Sequence, residues 1–600
     1  MQEHEEPGMP PGYAMDEIAL RAAEARRRSA VFAGQSNRTA ARPVWDFNHV
    51  IAYGQSLSSG WEGWPALSVT QRHDSLMIGD SVHGTNESGP RFEVAGTAAF
   101  RPLVATVMSN APKGEVLAPE AVAALAPGNT ALGETVLEGA LDFWRGRQLA
   151  SGDGRFPGRF VATSTGVGGR AIEQLSLDQG PFQRPVQAAQ LAKRLAEEAG
   201  GSYGIVALLW VQGESNSVGG GTQERRAYLD LTEKLQADFN REIVQGIAGQ
   251  EAMPAVFTHQ VGGIYVRDGT NMSIPMAQLD CAYALPDWFM VGPSYPVTEK
   301  AGHLDANGYR WLGQLFGKVM HRVIDIGEGW KPLHPVRATL RGAQVLVDFH
   351  VPHPPLVFSP CHVRTKATSF ADGGFRVTDD EGEVPVVAAA VVEEVSVLLV
   401  LERAPGPNPT LWYADQTKHG GFGNLRDSDP TLASQIYEFR EGSGQYPAAN
   451  LPELVGRPYP LWNWCVAFRT ALELDPVALQ VAPPEAPASD APMPAAPPAE
   501  APPPATPREE TIGDRDAAPE PVPVPVPEAA QPMPAAVPAE TPPFRPVEPE
   551  SSKTPTEPAA AETPAWQVLR GAAPEPPAPP PAVEPARGFL AWLRRLFGGG

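Results

Sequence analysis

Between Trp45 and Ile324 short, near-continuously apolar runs alternate with longer stretches whose apolar residues recur every three or four positions. The runs at 49–53, 160–164, 205–211, 255–258 and 288–291 do not alternate apolar with polar residues, which is how strands buried on both faces read. Between them, 134–149, 185–199, 224–243 and 306–323 carry the helical period. Strand and helix in alternation imply crossover connections. The expected fold is therefore α/β, three layers (α/β/α) around about five parallel strands, with the ligand site at their carboxyl ends.

The rhythm changes on either side of this stretch. Residues 1–45 offer one helix, with Asp16 as its expected N-cap, Ile18 and Leu20 on its apolar side and Arg26, Arg27 and Arg28 at its end; it reads as a surface helix leading into the domain. From 332 to 472 the runs at 343–349, 375–378, 386–392 and 395–401 are split by Gly, Pro and acidic turns, the pattern of a smaller β-rich accessory domain.

Composition changes the picture mainly at the end of the chain. Of 67 prolines in 600 residues, 34 lie between Pro476 and Pro585, in a stretch of Pro, Ala, Glu and Val with few aromatic residues. Such a stretch buries too little apolar surface to offset its chain entropy, so 476–585 is expected to be a disordered linker. About 475 residues remain to fold. The last segment, 586–600, places Phe589, Leu593 and Leu596 on one face of a short amphipathic helix. That helix is expected to order against a membrane surface or a protein partner.

Charge and cysteine usage exclude several classes. The formal net charge is −22, with −8 of it in 476–600, so phosphate-led nucleic-acid binding is not expected. Cys281, Cys361 and Cys465 are widely separated and form no C-x-x-C pair, which argues against a disulfide framework or a cysteine zinc site. No metal or other cofactor is called for. His350 and His353, three apart among prolines, lack the carboxylate or cysteine neighbours that a metal site needs. No apolar run reaches 18 residues, and the acidic start of the chain lacks the features of a conventional secretory signal. The compartment stays open, with the cytoplasm as the default expectation.

Four blocks near strand ends carry the chemistry. The first strand runs into Tyr53-Gly54-Gln55-Ser56-Leu57, which puts a serine at the sheet rim with its own N–H at the turn. The second is followed by Thr165-Gly166-Val167-Gly168-Gly169-Arg170, a glycine-rich turn whose backbone can approach an anion closely. The third ends in Trp210-Val211-Gln212-Gly213-Glu214-Ser215-Asn216, and Gly302-His303-Leu304 immediately precedes the last helix. Trp61 and Trp64, just beyond the serine, suit either stacking on a sugar ring or packing under the loop, and His259 ends the fourth strand as a structural or a pocket residue.

In this order the four blocks resemble the SGNH or GDSL hydrolase superfamily, and within it the sialate O-acetylesterase-like carbohydrate esterases, over residues 46–325. The resemblance implies a serine esterase that removes O-acetyl groups from a carbohydrate through an acyl-enzyme. Ser56 would be its nucleophile and His303 its general base. The Ser56 and Gly169 N–H groups would bind the oxyanion with the Gln212 side chain as a third donor, Glu214 would orient neighbouring groups, and Asn216 would complete the pocket. The family's acid lies three residues before the histidine, where this chain has Lys300; Glu299 is the better candidate, with a Ser-His dyad or an acid from elsewhere in the chain as the alternatives, and Asp305 reads as a helix cap. Gly34-Gln35-Ser36-Asn37 repeats the nucleophile motif, but Ser56 follows the better strand. Lys300 also motivates a rival reading, a catalytically lapsed carbohydrate-binding protein, and the terminal helix motivates a third, an adaptor tethered to a membrane or assembly.

Overall fold

The computed structural model describes residues 12–35, 39–152, 156–300, 302–363, 366–445 and 447–475. The expectations for 476–585, for 586–600 and for Ser36 fall outside the described residues. The first region is a seven-stranded sheet of β1 (Phe47–Gly54), β2 (Leu76–Ile78), β3 (Phe100–Pro102), β4 (Arg159–Ser164), β5 (Tyr203–Val211), β6 (Ala255–Gln260) and β7 (Trp288–Pro293). Its order is β3-β2-β4-β1-β5-β6-β7, parallel throughout except for the edge strand β3. The five expected strands are all present. The two additional ones are three residues long, too short to leave a periodic signal.

Strand residues alternate between two hydrophobic clusters, one on each face of the sheet. Val50 and Ala52 of β1 and Phe160 and Ala162 of β4 join one cluster with Leu137 and Leu141 of a helix at Val136–Ser151 and with Leu312 and Phe316 of a helix at Ala306–Met320. Ile51 and Tyr53 of β1 and Val161 of β4 join the other, with Ala192 of Gln183–Glu198, Leu235 of Arg225–Phe239 and Ala282 of Ser273–Ala284. Ser273–Ala284 was not expected: its apolar residues, with Pro275 among them, show no amphipathic stripe. The helix is buried on most sides. Among the described residues no helix is long and apolar enough to cross a membrane.

Beyond residue 332 the chain forms a five-stranded sheet that includes His334–Arg341, Gln344–His350, Val386–Val392 and Ser396–Leu401, and a four-stranded sheet built on Phe375–Asp379 and Thr410–Tyr413. The boundary with the first region is not clean in space. Leu432–Ile436 and Pro458–Pro460 pair with each other, and Ala433, Tyr437, Tyr459 and Leu461 join the cluster under Ala306–Met320. Arg310 binds this strap through the Ile436 carbonyl at 2.6 Å and the Tyr459 hydroxyl at 3.1 Å.

The first helix spans Met15–Gly34, and its N-cap is Ala14; Asp16 lies inside the first turn, where its charge suits the helix dipole. It leads into the second region rather than the first. Arg21, buried, donates to Asp348 Oδ2 at 2.7 and 2.9 Å and to Thr339 Oγ1 at 2.6 Å. Removing one partner of such a pair leaves a buried charge uncompensated. Arg21→Ala is expected to lower the unfolding free energy by about 3 kcal/mol, read as a shifted midpoint with unchanged slope in urea titrations.

Candidate active site

Strand β1 lies against β5 with Gly54 opposite Val211, and the two backbones approach so closely that a Cβ on Gly54 would sit 2.0 Å from the Val211 carbonyl oxygen. Only glycine fits there, at a φ of 143°. The next residue continues the contact: Gln55 N–H donates to the Val211 carbonyl at 3.0 Å, and its side-chain oxygen accepts from Ser215 N–H at 3.0 Å. The nucleophile block and the third block are thereby sewn together. Val167 N–H donates to the Gly54 carbonyl at 2.9 Å, and a Cβ on Gly166 would meet Ser58 Oγ at 1.8 Å, so the glycine-rich turn is held against the same strand end.

Ser56 Oγ lies 2.9 Å from His303 Nε2, and both residues are largely buried. The turn that presents the imidazole is closed by the Lys300 N–H donating to the His303 carbonyl at 2.6 Å and by a bridge between Glu299 and Leu304. Asp305 starts the helix behind it, accepting from Gly308 N–H at 2.7 Å and from Thr298 Oγ1 at 2.5 Å. On the far side of the ring, His303 Nδ1 is 3.3 Å from Glu62 Oε1. Glu62 is 2 % exposed and has a φ of 61°, left-handed backbone that a non-glycine residue rarely adopts. A carboxylate against Nδ1 fixes the tautomer that leaves Nε2 able to accept the serine proton.

The carboxylate found against His303 Nδ1 is that of Glu62, whereas the residue expected as the acid was Glu299. The side chain of Glu299 lines a neighbouring narrow cleft with Leu57, Glu214, Tyr265, Gly302 and Phe422. Glu62 comes from the nucleophile's own loop, 241 residues before the histidine, so a search close to His303 misses it. The signal was nonetheless in Trp61-Glu62-Gly63-Trp64: a lone carboxylate between two aromatics, beside glycines, six residues after the serine.

Among the described residues, no hydrogen bond occupies the Ser56 or Gly169 N–H. Gly169 is exposed at a φ of 69°, while the adjacent Gly168 N–H is taken by the carboxylate of Glu87. Burial raises the Glu87 carboxyl above its ordinary value. Trp61 lies over the same turn: a Cβ on Gly168 would meet its ring at 2.3 Å, and its ring centre is 5.7 Å from that of His303.

Gln212, expected as a third donor to the oxyanion, has its side chain bonded within the protein. Its buried amide donates to Asn216 Oδ1 at 2.8 Å and to the Arg170 carbonyl at 3.3 Å, and its oxygen accepts from the Tyr228 hydroxyl at 2.7 Å. Asn216 Oδ1 also accepts from Ile172 N–H at 3.0 Å, and its amide donates to Glu173 and to the Thr222 carbonyl, both at 3.1 Å. These two residues hold the third block to the glycine-rich turn. Glu214 lies 2.8 Å from His259 Nε2, and both are buried. Among the described residues no group of three His, Cys, Asp or Glu side chains is arranged to hold a metal.

No family model matches the chain and no curated protein matches it. Solved structures similar to it include esterases. One is a carbohydrate acetylesterase from Xanthomonas citri, 14% identical over 70% of this chain and 80% of that one, with a TM-score of 0.39. An Arabidopsis thaliana protein is 13% identical over 45% of this chain and 97% of that one, with a TM-score of 0.30. NanS is 11% identical over 42% and 79%, with a TM-score of 0.27.

Gln212→Leu separates the two roles considered for that side chain. It removes the 2.7 Å acceptor of the Tyr228 hydroxyl and one of the two donors to Asn216 Oδ1, which keeps Ile172 N–H, and is expected to cost about 2 kcal/mol of stability in denaturant titrations.

Proposed function

We propose that this protein is a serine carboxylic ester hydrolase that removes O-acetyl groups from a carbohydrate through an acyl-enzyme intermediate. The observation that carries the reading is the line of atoms Ser56 Oγ, His303 Nε2, His303 Nδ1 and Glu62 Oε1, at 2.9 Å and 3.3 Å across the two gaps. Serine is a poor nucleophile until its proton is removed. His303 takes that proton as Oγ attacks the ester carbonyl, and Glu62 stabilises the imidazolium that forms. The Ser56 and Gly169 N–H groups then face the developing oxyanion, each worth about 10²- to 10³-fold in rate. Collapse expels the sugar hydroxyl with the proton from His303. Water, activated by the same histidine, releases acetate and restores Ser56.

The sheet with helix sets on both faces is read here as the three-layer fold of the SGNH hydrolases, with the sialate O-acetylesterase-like branch as the nearest pattern. The structural neighbour from Xanthomonas citri is itself a carbohydrate acetylesterase, which accords with this substrate class. Trp61 supplies an aromatic surface beside His303, and a narrow cleft is lined by Leu57 and Gly302, the neighbours in sequence of Ser56 and His303. That pairing suits a sugar ring carrying a small acyl group.

Ser56→Ala is expected to lower 4-nitrophenyl acetate turnover by about 10³-fold or more, with Ser36→Ala at wild-type rate. Acetate release from an acetylated glycan should follow the same order. Undiminished turnover in Ser56→Ala rejects the assignment. Glu62→Gln is expected to lose about 10²-fold in kcat with Glu299→Gln within a few-fold of wild type; the reverse ranking returns the acid to Glu299.

A further inference from the structure

The residue that stands where the acid was expected has a partner of its own. Lys300 Nζ donates to the Glu62 carbonyl at 2.6 Å and to the Trp64 carbonyl at 2.8 Å, and lies 4.0 Å from the centre of the Trp64 ring. The same residue's backbone N–H closes the turn that presents His303. One amino acid thus touches both the histidine's turn and the acid's loop. We propose that Lys300 is a positioning residue, whose ammonium grips the loop carrying Glu62 and holds that carboxylate against His303.

A non-glycine residue in the left-handed region, as Glu62 is, persists only where its surroundings determine it. Three consecutive ties do so here. Tyr309 OH donates to the Trp61 carbonyl at 2.8 Å, Lys300 holds the carbonyls of Glu62 and Trp64, and Glu62 N–H donates to the Ala131 carbonyl at 3.0 Å. Hydrogen bonds from a charged donor are stronger than neutral ones, and Lys300 gives the loop two of them. Both Lys300 and Tyr309 flank His303, one before and one after it. The segment bearing the base therefore fastens the segment bearing the acid. Desolvation presses the Lys300 ammonium down to about 8, opposed by the carboxylates of Asp305 and Glu62, and a buried cation kept at such a cost is consistent with a fixed task.

The inference rests on the proposed esterase reading, and its test separates the two. In the full-length protein, Lys300→Met is expected to lower kcat for 4-nitrophenyl acetate by about 10- to 10²-fold with KM within about twofold, because the loop's displacement misplaces a catalytic group without removing a binding one. The double variant Lys300→Met/Glu62→Gln should be no slower than Glu62→Gln alone, since Lys300 acts through Glu62. Multiplying losses in the double variant, or an unchanged kcat in Lys300→Met, overturns the proposal. Amide hydrogen exchange reads the loop independently of catalysis. Exchange at 61–64 should accelerate in Lys300→Met while the strands keep their protection. Unchanged exchange there overturns the proposal whatever the kinetics. A faster-exchanging loop in a protein whose wild type releases no acetate upholds the grip of Lys300 and rejects the esterase reading instead.

Discussion

Everything at the sheet rim depends on how close β1 and β5 come where they end. The missing side chain at Gly54 lets Val211 lie against the nucleophile's strand, and the Val211 carbonyl then accepts from Gln55 N–H. From that contact the rest follows geometrically. Gln55 reaches the third block, the glycine-rich turn folds onto the Gly54 carbonyl, and Ser56 is left at the tip of a turn with its N–H unoccupied among the described residues. A single methyl group at position 54 would separate all three blocks.

The second constraint is that His303 and Glu62 lie on loops that no strand aligns. The chain meets it by stitching instead of by regular structure: the carbonyls of Trp61, Glu62 and Trp64 are each held by a side chain from 300–309. These bonds operate away from bulk solvent, where a charge-assisted hydrogen bond is stronger and its loss dearer. Gln212, Asn216, Tyr228 and Glu173 form a comparable net beneath the glycine-rich turn. Both nets tie loop to loop through buried and half-buried side chains.

How much of this could be read from the residues depended on the range of the cause. The buried strands were legible because a parallel strand covered on both faces must be apolar at every position, as Tyr203–Val211 is. The meeting of Ser56 with His303 was legible because each stands in a local motif, one at a strand end and one before a helix. The approach of Glu62 to His303 was not, since it is created by a fold that brings residue 62 beside residue 303 and by a backbone conformation that no sequence period encodes. The bonding of Gln212 was not legible either: it stands at the expected rim, and its buried amide is engaged by Asn216 and Arg170. The second region's strands were visible, but the return of 432–461 to the first region was not, because Tyr437 and Tyr459 look like ordinary β-sheet aromatics.

That return alters what the second region is. A module appended after a catalytic domain can be lost, swapped or duplicated without disturbing its neighbour. Here the helix that follows His303 is roofed by residues more than 120 positions further along the chain, with Arg310 and Asn307 bonded to Ile436, Glu438 and Tyr459. The first helix, in turn, is anchored by Arg21 to the second region. Part of the first region's core is thus supplied by the second, and removing the strap at 432–461 would uncover the helix behind His303.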